Sequence, residues 1–175
     1  QLLDSAQAGA DYAELLEALL TRHQQLINQL MKGDQVQPLI AALQQHGQQL
    51  ATILYGITLV KHYSAEQAAA VLSFGECWSA RIFAALCNQT RPATWLDASQ
   101  FLYTQNAHGI QGCLWQKSRD AWNQIAAANQ AEVYVVTGFI AATEEGQLTL
   151  LERNGSDISA SWVAELCQAE ELIIW

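Results

Sequence analysis

The six residues Glu152-Arg153-Asn154-Gly155-Ser156-Asp157 set a guanidinium, two carboxylates, a hydroxyl and a glycine side by side. Arginine offers a planar fork of donors that matches a carboxylate with two parallel bonds. The residues from Ser156 to Gln168 read as a helix, so the segment lies at a helix N-terminus. Free backbone N–H groups and the helix dipole favour an anion there. Gly155 allows close backbone approach. The chemistry this allows is the gripping of a small acid. The same residues equally describe a capped turn, with Ser156 as N-cap, Asp157 in the first turn and Arg153 in solvent.

Two further segments carry candidate residues. In Ser73-Phe74-Gly75-Glu76 a carboxylate follows a glycine at an expected helix start. It could pair a ligand cation, or only the helix dipole. In Thr137-Gly138-Phe139-Ile140 a glycine stands toward the end of an apolar strand. Ligands sit at such strand ends in open α/β sheets, although tight packing of a helix on the strand also selects glycine. The four histidines are scattered without an HxxxH pair, and the four cysteines lack CxxC spacing. These patterns predict no His/Cys metal site and reduced thiols, as in a cytoplasmic protein. No GxGxxG, P-loop, GxSxG or HExxH motif occurs. The six tryptophans read as core anchors.

The elements that must position these residues differ between the halves. From Asp11 to Met31, leucines and isoleucines recur at three- and four-residue steps, which predicts an amphipathic helix stopped by Lys32-Gly33-Asp34. A second helix is expected from Gln37 to Leu59, with Pro38 in its first turn. Ser64-Ala65-Glu66-Gln67 has the form of a capping box opening a third helix through Leu72. Gly75 is expected to interrupt, with another helix through Asn88. Residues 1–90 are thus mainly helical. Residues 91–175 alternate: a strand at Thr94–Asp97, a helix at Lys117–Ala128, a doubly buried strand at Glu132–Ala141, a turn at Glu144–Gly146, a strand at Gln147–Leu151, the helix from Ser156, and a strand opening at Leu172–Trp175. This order predicts an α/β fold, a mainly parallel sheet with helices on both faces behind a helical N-terminal half.

Composition narrows the function classes. The chain has 175 residues with 51% hydrophobic and only 14% charged, against about a quarter in ordinary soluble domains. Part of its surface is therefore expected to be covered by something else. Eight basic against 17 acidic residues give a net charge of −9, which argues against a nucleic-acid groove or an anionic membrane surface. No unbroken apolar run approaches the ~20 residues of a membrane span. The apolar end at Leu172-Ile173-Ile174-Trp175, in an expected core strand, points to a fragment of a longer chain.

Taken together, the segments resemble the aspartokinase family, within the amino-acid kinase fold. The matching pieces are Leu54-Tyr55-Gly56-Ile57-Thr58-Leu59, Leu72-Ser73-Phe74-Gly75-Glu76 with Ser79-Ala80-Arg81, Trp95-Leu96-Asp97-Ala98, Val136-Thr137-Gly138-Phe139-Ile140-Ala141 and Leu151 through Ala160. They stand in family order across about residues 50 to 175, and their wording is similar to bifunctional aspartokinases. The resemblance implies a three-layer αβα domain, incomplete here, that phosphorylates the side-chain carboxylate of L-aspartate with ATP and Mg2+ on the route to lysine, threonine and methionine. It implies that Glu76 holds the substrate ammonium and Arg153 the α-carboxylate. Gly155 and Ser156 would border the substrate, and Gly138 the nucleotide. Asp157 would position a catalytic lysine. The resemblance also implies a homo-oligomer in the full protein.

Three departures accompany it. The family's Lys-Phe-Gly-Gly-Thr-Ser opening does not occur in this sequence, and the sequence stops before the family's Asp-containing nucleotide loop. Glu152 stands where the family usually has glycine; its charge either weakens substrate binding or faces solvent. These departures leave two other readings, a non-catalytic paralogue that binds an amino acid or a partner, and an amino-acid kinase for another acidic substrate.

Overall fold

Apolar spacing builds the first half as expected. The computed structural model describes residues 1–107, 110–151 and 153–175. Helix α1 (Leu2–Ala8) leads into α2 (Ala13–Leu30), a 3₁₀ turn at Gly33–Gln35, α3 (Val36–Val60) and α4 (Ala65–Cys87). The capping box is present: Gln67 N–H donates to Ser64 Oγ (3.3 Å), and Ser64 N–H donates to Gln67 Oε1 (2.9 Å). Ile27, Leu50, Leu54, Ile57 and Trp78 fill one core between these helices. Burying a side chain such as Leu54, 0% exposed, contributes roughly 1.5–3 kcal/mol.

Gly75 does not interrupt. Helix α4 runs unbroken through it, because packing on both flanks outweighs the ~1 kcal/mol that an interior glycine costs. Glu76 is therefore in the middle of a helix, not at its start, and the dipole reading of it falls away. By length and composition α4 is also long and apolar enough to cross a membrane. Here it is the central packing helix, with α2 and α3 on one flank and strands on the other.

The second half contains β1 (Ala93–Leu96), a 3₁₀ turn at Ala98–Gln100, β2 (Thr104–Ala107), β3 (Ile110–Cys113), α5 (Trp115–Ala128), β4 (Val133–Val136), β5 (Ile140–Ala142), β6 (Leu148–Leu150) and α6 (Gly155–Leu166). Strands β1 and β4 pair in parallel, from Ala93↔Val133 to Leu96↔Val136. The β2–β3 and β5–β6 pairs are antiparallel, and a parallel bridge joins Tyr103 to Ala142. The expected α/β architecture is present, with α4 against β1, β4 and β6, and with Trp122 of α5 and Leu166 of α6 in the second core.

Three expectations are corrected. The strand at Glu132–Ala141 is two strands, broken at Thr137-Gly138-Phe139, where Phe139 takes a left-handed φ of 66°. β5 is buried throughout, whereas β4 is only half-buried. Leu172–Trp175 forms no strand; these side chains are exposed and no β-partner pairs with them. The β2–β3 pair was not anticipated, since Gln105, Asn106, Gln111 and Gly112 carry none of the β-branched or aromatic character of a strand.

Candidate active site

Parallel pairing of β1 and β4 sets their carboxyl ends next to each other, so Asp97 and Thr137-Gly138 become neighbours. Buried Thr137 fastens the two: its N–H donates to the Leu96 carbonyl (3.0 Å), and its Oγ1 accepts from Ala98 N–H (2.8 Å). Glu76 arrives from α4. Burial pushes its carboxyl above the usual carboxylate range, and the nearby Gly138 backbone N–H offsets this in part. Next to it, burial and the Asp97 carboxylate raise the Cys77 thiol to about 11, so this cysteine stays protonated and unreactive.

Helix α6 approaches the same strand end. A Cβ added at Gly138 would stand 3.1 Å from Ser156 Oγ and 3.3 Å from Ser156 Cβ. A Cβ at Gly155 would stand 2.7 Å from Phe139 Cδ2 and 3.0 Å from Leu151 Cβ. Both glycines are thus selected by the close contact of α6 with the β4–β5 break. The N-cap is not Ser156 but Asn154, in the left-handed region at φ 60°, with no side-chain capping bond. Asparagine adopts that conformation more readily than most residues. The first N–H groups of α6 consequently lack a side-chain cap at the Asn154 turn.

Arg153, Ser156 and Asp157 are exposed, and with Phe139 and Leu151 they line an open cleft of about 570 Å3. A second cleft of about 350 Å3 passes Thr137, Gly138 and Ser159 and shares Ser156 with the first. The structure thus gathers Gly138, Arg153, Gly155, Ser156 and Asp157 around one helix N-terminus. Glu76 comes from the α4 side to the neighbourhood of the Gly138 backbone, and lines neither cleft. Glu152 lies outside the described residues. Asp97 and Ser159 were not singled out by sequence. The signal for Asp97 was its place after a strand, and for Ser159 its place one helical turn beyond Ser156.

The chain as a whole has counterparts among known proteins. The sequence profile described as "Amino acid kinase family" matches residues 3–175. The chain belongs to the amino acid kinase family. Its relatives in that family include the bifunctional aspartokinase/homoserine dehydrogenase 2 of Escherichia coli, 34% identical over 93% of this chain and 20% of that protein. The chloroplastic bifunctional aspartokinase/homoserine dehydrogenase 1 of Arabidopsis thaliana is 29% identical over 94% of the chain and 18% of its own length. The chain thus spans about a fifth of the length of these curated relatives. Among solved structures, E. coli aspartokinase III in complex with aspartate and ADP superposes with a TM-score of 0.81 at 21% identity. That match covers 99% of this chain and 39% of the other, and it shows the amino acid kinase fold.

Proposed function

We propose that this chain carries the aspartate-binding part of an aspartokinase catalytic domain, which transfers the γ-phosphoryl group of ATP to the side-chain carboxylate of L-aspartate. The observation that carries the reading is the convergence of Glu76, Gly138 and the Arg153–Asp157 helix start at one end of β4. It is supported by relatives named as aspartokinases and by a fold neighbour solved with aspartate and ADP.

Each role follows from charge and position. Ionised Glu76 pairs the α-ammonium, and the arriving cation offsets the burial that otherwise holds its pKa up. Arg153, on the rim of the cleft, grips the α-carboxylate in bidentate fashion. The side-chain carboxylate then lies toward Ser156 and the first-turn N–H groups of α6, where the dipole offsets its charge. A carboxylate is already a nucleophile and needs no general base. One of its oxygens bonds to the γ-phosphorus as the bond to the bridging β–γ oxygen breaks, and ADP leaves. Catalysis of this kind consists of positioning and charge neutralisation. Asp157, exposed in the first turn of α6, is placed to hold a cation next to the transferring group. The second cleft, past Gly138, is the side from which the nucleotide phosphates approach. Among the described residues no group of three or more His, Cys, Asp or Glu gathers, so these residues form no cage for Mg2+.

The test is aspartyl-hydroxamate formation by the full-length protein with ATP, Mg2+, hydroxylamine and L-aspartate, beside L-glutamate and N-acetyl-L-glutamate. Product from aspartate alone supports the reading. Product from another acid, or none from a folded protein, overturns it.

A further inference from the structure

The Ser159 hydroxyl links the two halves of the site. Ser159 is 2% exposed. Its Oγ accepts from the Phe139 N–H (3.3 Å) and donates to the Ser156 carbonyl (2.9 Å). The residues it joins are the two whose placement matters most. Phe139 takes the left-handed φ of 66°, a conformation that costs energy for a bulky side chain and persists only where its surroundings hold it. The preceding residue, Gly138, carries the backbone N–H that acts on the Glu76 carboxylate. Ser156 stands in the first turn of α6, between Arg153 and the shared wall of the two clefts.

A serine inside a helix often spends its hydroxyl on a carbonyl three or four residues back, and the Ser156 bond is of that kind. Such a bond alone would have no consequence outside the helix. The Phe139 bond differs, because it crosses from α6 to the β4–β5 break, 20 residues away in sequence. Among the described residues it is the side-chain hydrogen bond that fixes the backbone of that break to α6. Tight contacts at Gly138 and Gly155 set how near the two segments come, but apolar contact alone does not fix the direction of an N–H.

We propose that Ser159 is a positioning residue for aspartate. By fixing the 138–139 backbone against the first turn of α6, it sets the separation between the Glu76 site for the ammonium and the Arg153 site for the α-carboxylate. Aspartate is short, and a ligand gripped at both ends loses one grip when that separation changes. The inference rests on the functional reading above.

The experiment compares S159A, S159T and S159V in the full-length protein, with steady-state kinetics in aspartate and in ATP. Thr and Val share a shape and differ in the hydroxyl, so their contrast isolates the hydrogen bond from packing. Loss of a buried bond predicts a rise of roughly tenfold in the KM for aspartate in S159A and S159V, with kcat down less than about threefold and the KM for ATP within about twofold. S159T is expected to stay within about threefold of wild type. Equal behaviour of S159T and S159V, an unmoved KM for aspartate, or S159A and S159V that fail to fold would each overturn the proposal. The last result would assign the hydroxyl to folding alone. A folded wild-type protein without aspartate-dependent ADP release overturns the functional reading and this one together. An active wild type with unmoved variants overturns only this one.

Discussion

The helical first half and the alternating second half handle buried polarity in opposite ways. Between α1 and α4 the core cluster is apolar, its buried hydroxyl Ser73 bonds only locally to the Ala70 carbonyl (2.9 Å), and Trp78 Nε1–H donates across it to His46 Nδ1 (3.1 Å). In the second half, Thr104, Ser118, Thr137 and Ser159 are all buried, and each bonds backbone in a loop, hairpin or helix start. A buried hydroxyl without a partner costs ~1–3 kcal/mol, so these residues are retained where a backbone direction must be fixed. The first half is built for bulk, and the second for aim. Helix α4 serves both: Trp78 points into the helical core, while Cys77 packs on the second core and Glu76 reaches the Gly138 backbone.

Substitutions on the two sides of α4 should therefore separate stability from substrate binding. The largest stability effect is expected from Leu54→Ala, fully buried, at about 3 kcal/mol with the KM for aspartate unchanged in the folded fraction; urea unfolding and kinetics check both. Arg153→Ala should do the reverse. The residue is exposed, so the melting temperature holds, while the KM for aspartate rises roughly a hundredfold through loss of a bidentate charged pair. Gly155→Ala should do both, because its Cβ would press on Phe139 and Leu151: about 1–3 kcal/mol of stability, with a raised KM, by the same two measurements.

Two pH effects sharpen the contrast. Burial raises the pKa of Glu76, so the folded state favours its protonated form, and ionisation at neutral pH destabilises the fold. Glu76→Gln should therefore leave stability at neutral pH equal or higher while it weakens aspartate binding. In wild type the KM for aspartate should climb as pH falls through that raised pKa, and Glu76→Gln should flatten the profile. The smallest effect is in the helical half. Burial first, then the Arg81 guanidinium, lowers the pKa of His46, so the unfolded chain binds the proton more readily. Stability should fall as pH drops below the ordinary imidazole value of ~6.5, and His46→Phe should remove that slope without moving any KM. Urea midpoints across the pH range measure it.

Legibility in the sequence followed the same division. Helices α2 and α3 and the start of α4 could be placed from leucine spacing, Pro38 and the Ser64–Gln67 box, because one face of each buries apolar residues. Gly75 misled, since a propensity of about 1 kcal/mol is overruled when both flanks of a helix are packed. In the second half, the run from Glu132 to Ala141 looked like one strand because hydrophobicity is blind to Phe139 turning left-handed. The site segments were visible as Arg153–Asp157, Glu76 and Gly138. Their meeting was not, because it depends on a parallel pairing and on the close approach of α6, which no local pattern encodes. Ser159 stayed unnoticed because a serine on a helix face is ordinary until the chain 20 residues earlier comes to meet it.

The claim that Glu76 and Arg153 grip opposite ends of one aspartate is most directly tested by inhibition with its two truncated forms. Succinate lacks the ammonium and β-alanine lacks the α-carboxylate. Inhibition constants against aspartate, measured on the full-length wild type, Arg153→Ala and Glu76→Gln, should show a crossed pattern. Arg153→Ala weakens succinate and spares β-alanine, whereas Glu76→Gln weakens β-alanine and spares succinate. Parallel losses for both inhibitors in both variants would contradict the assignment.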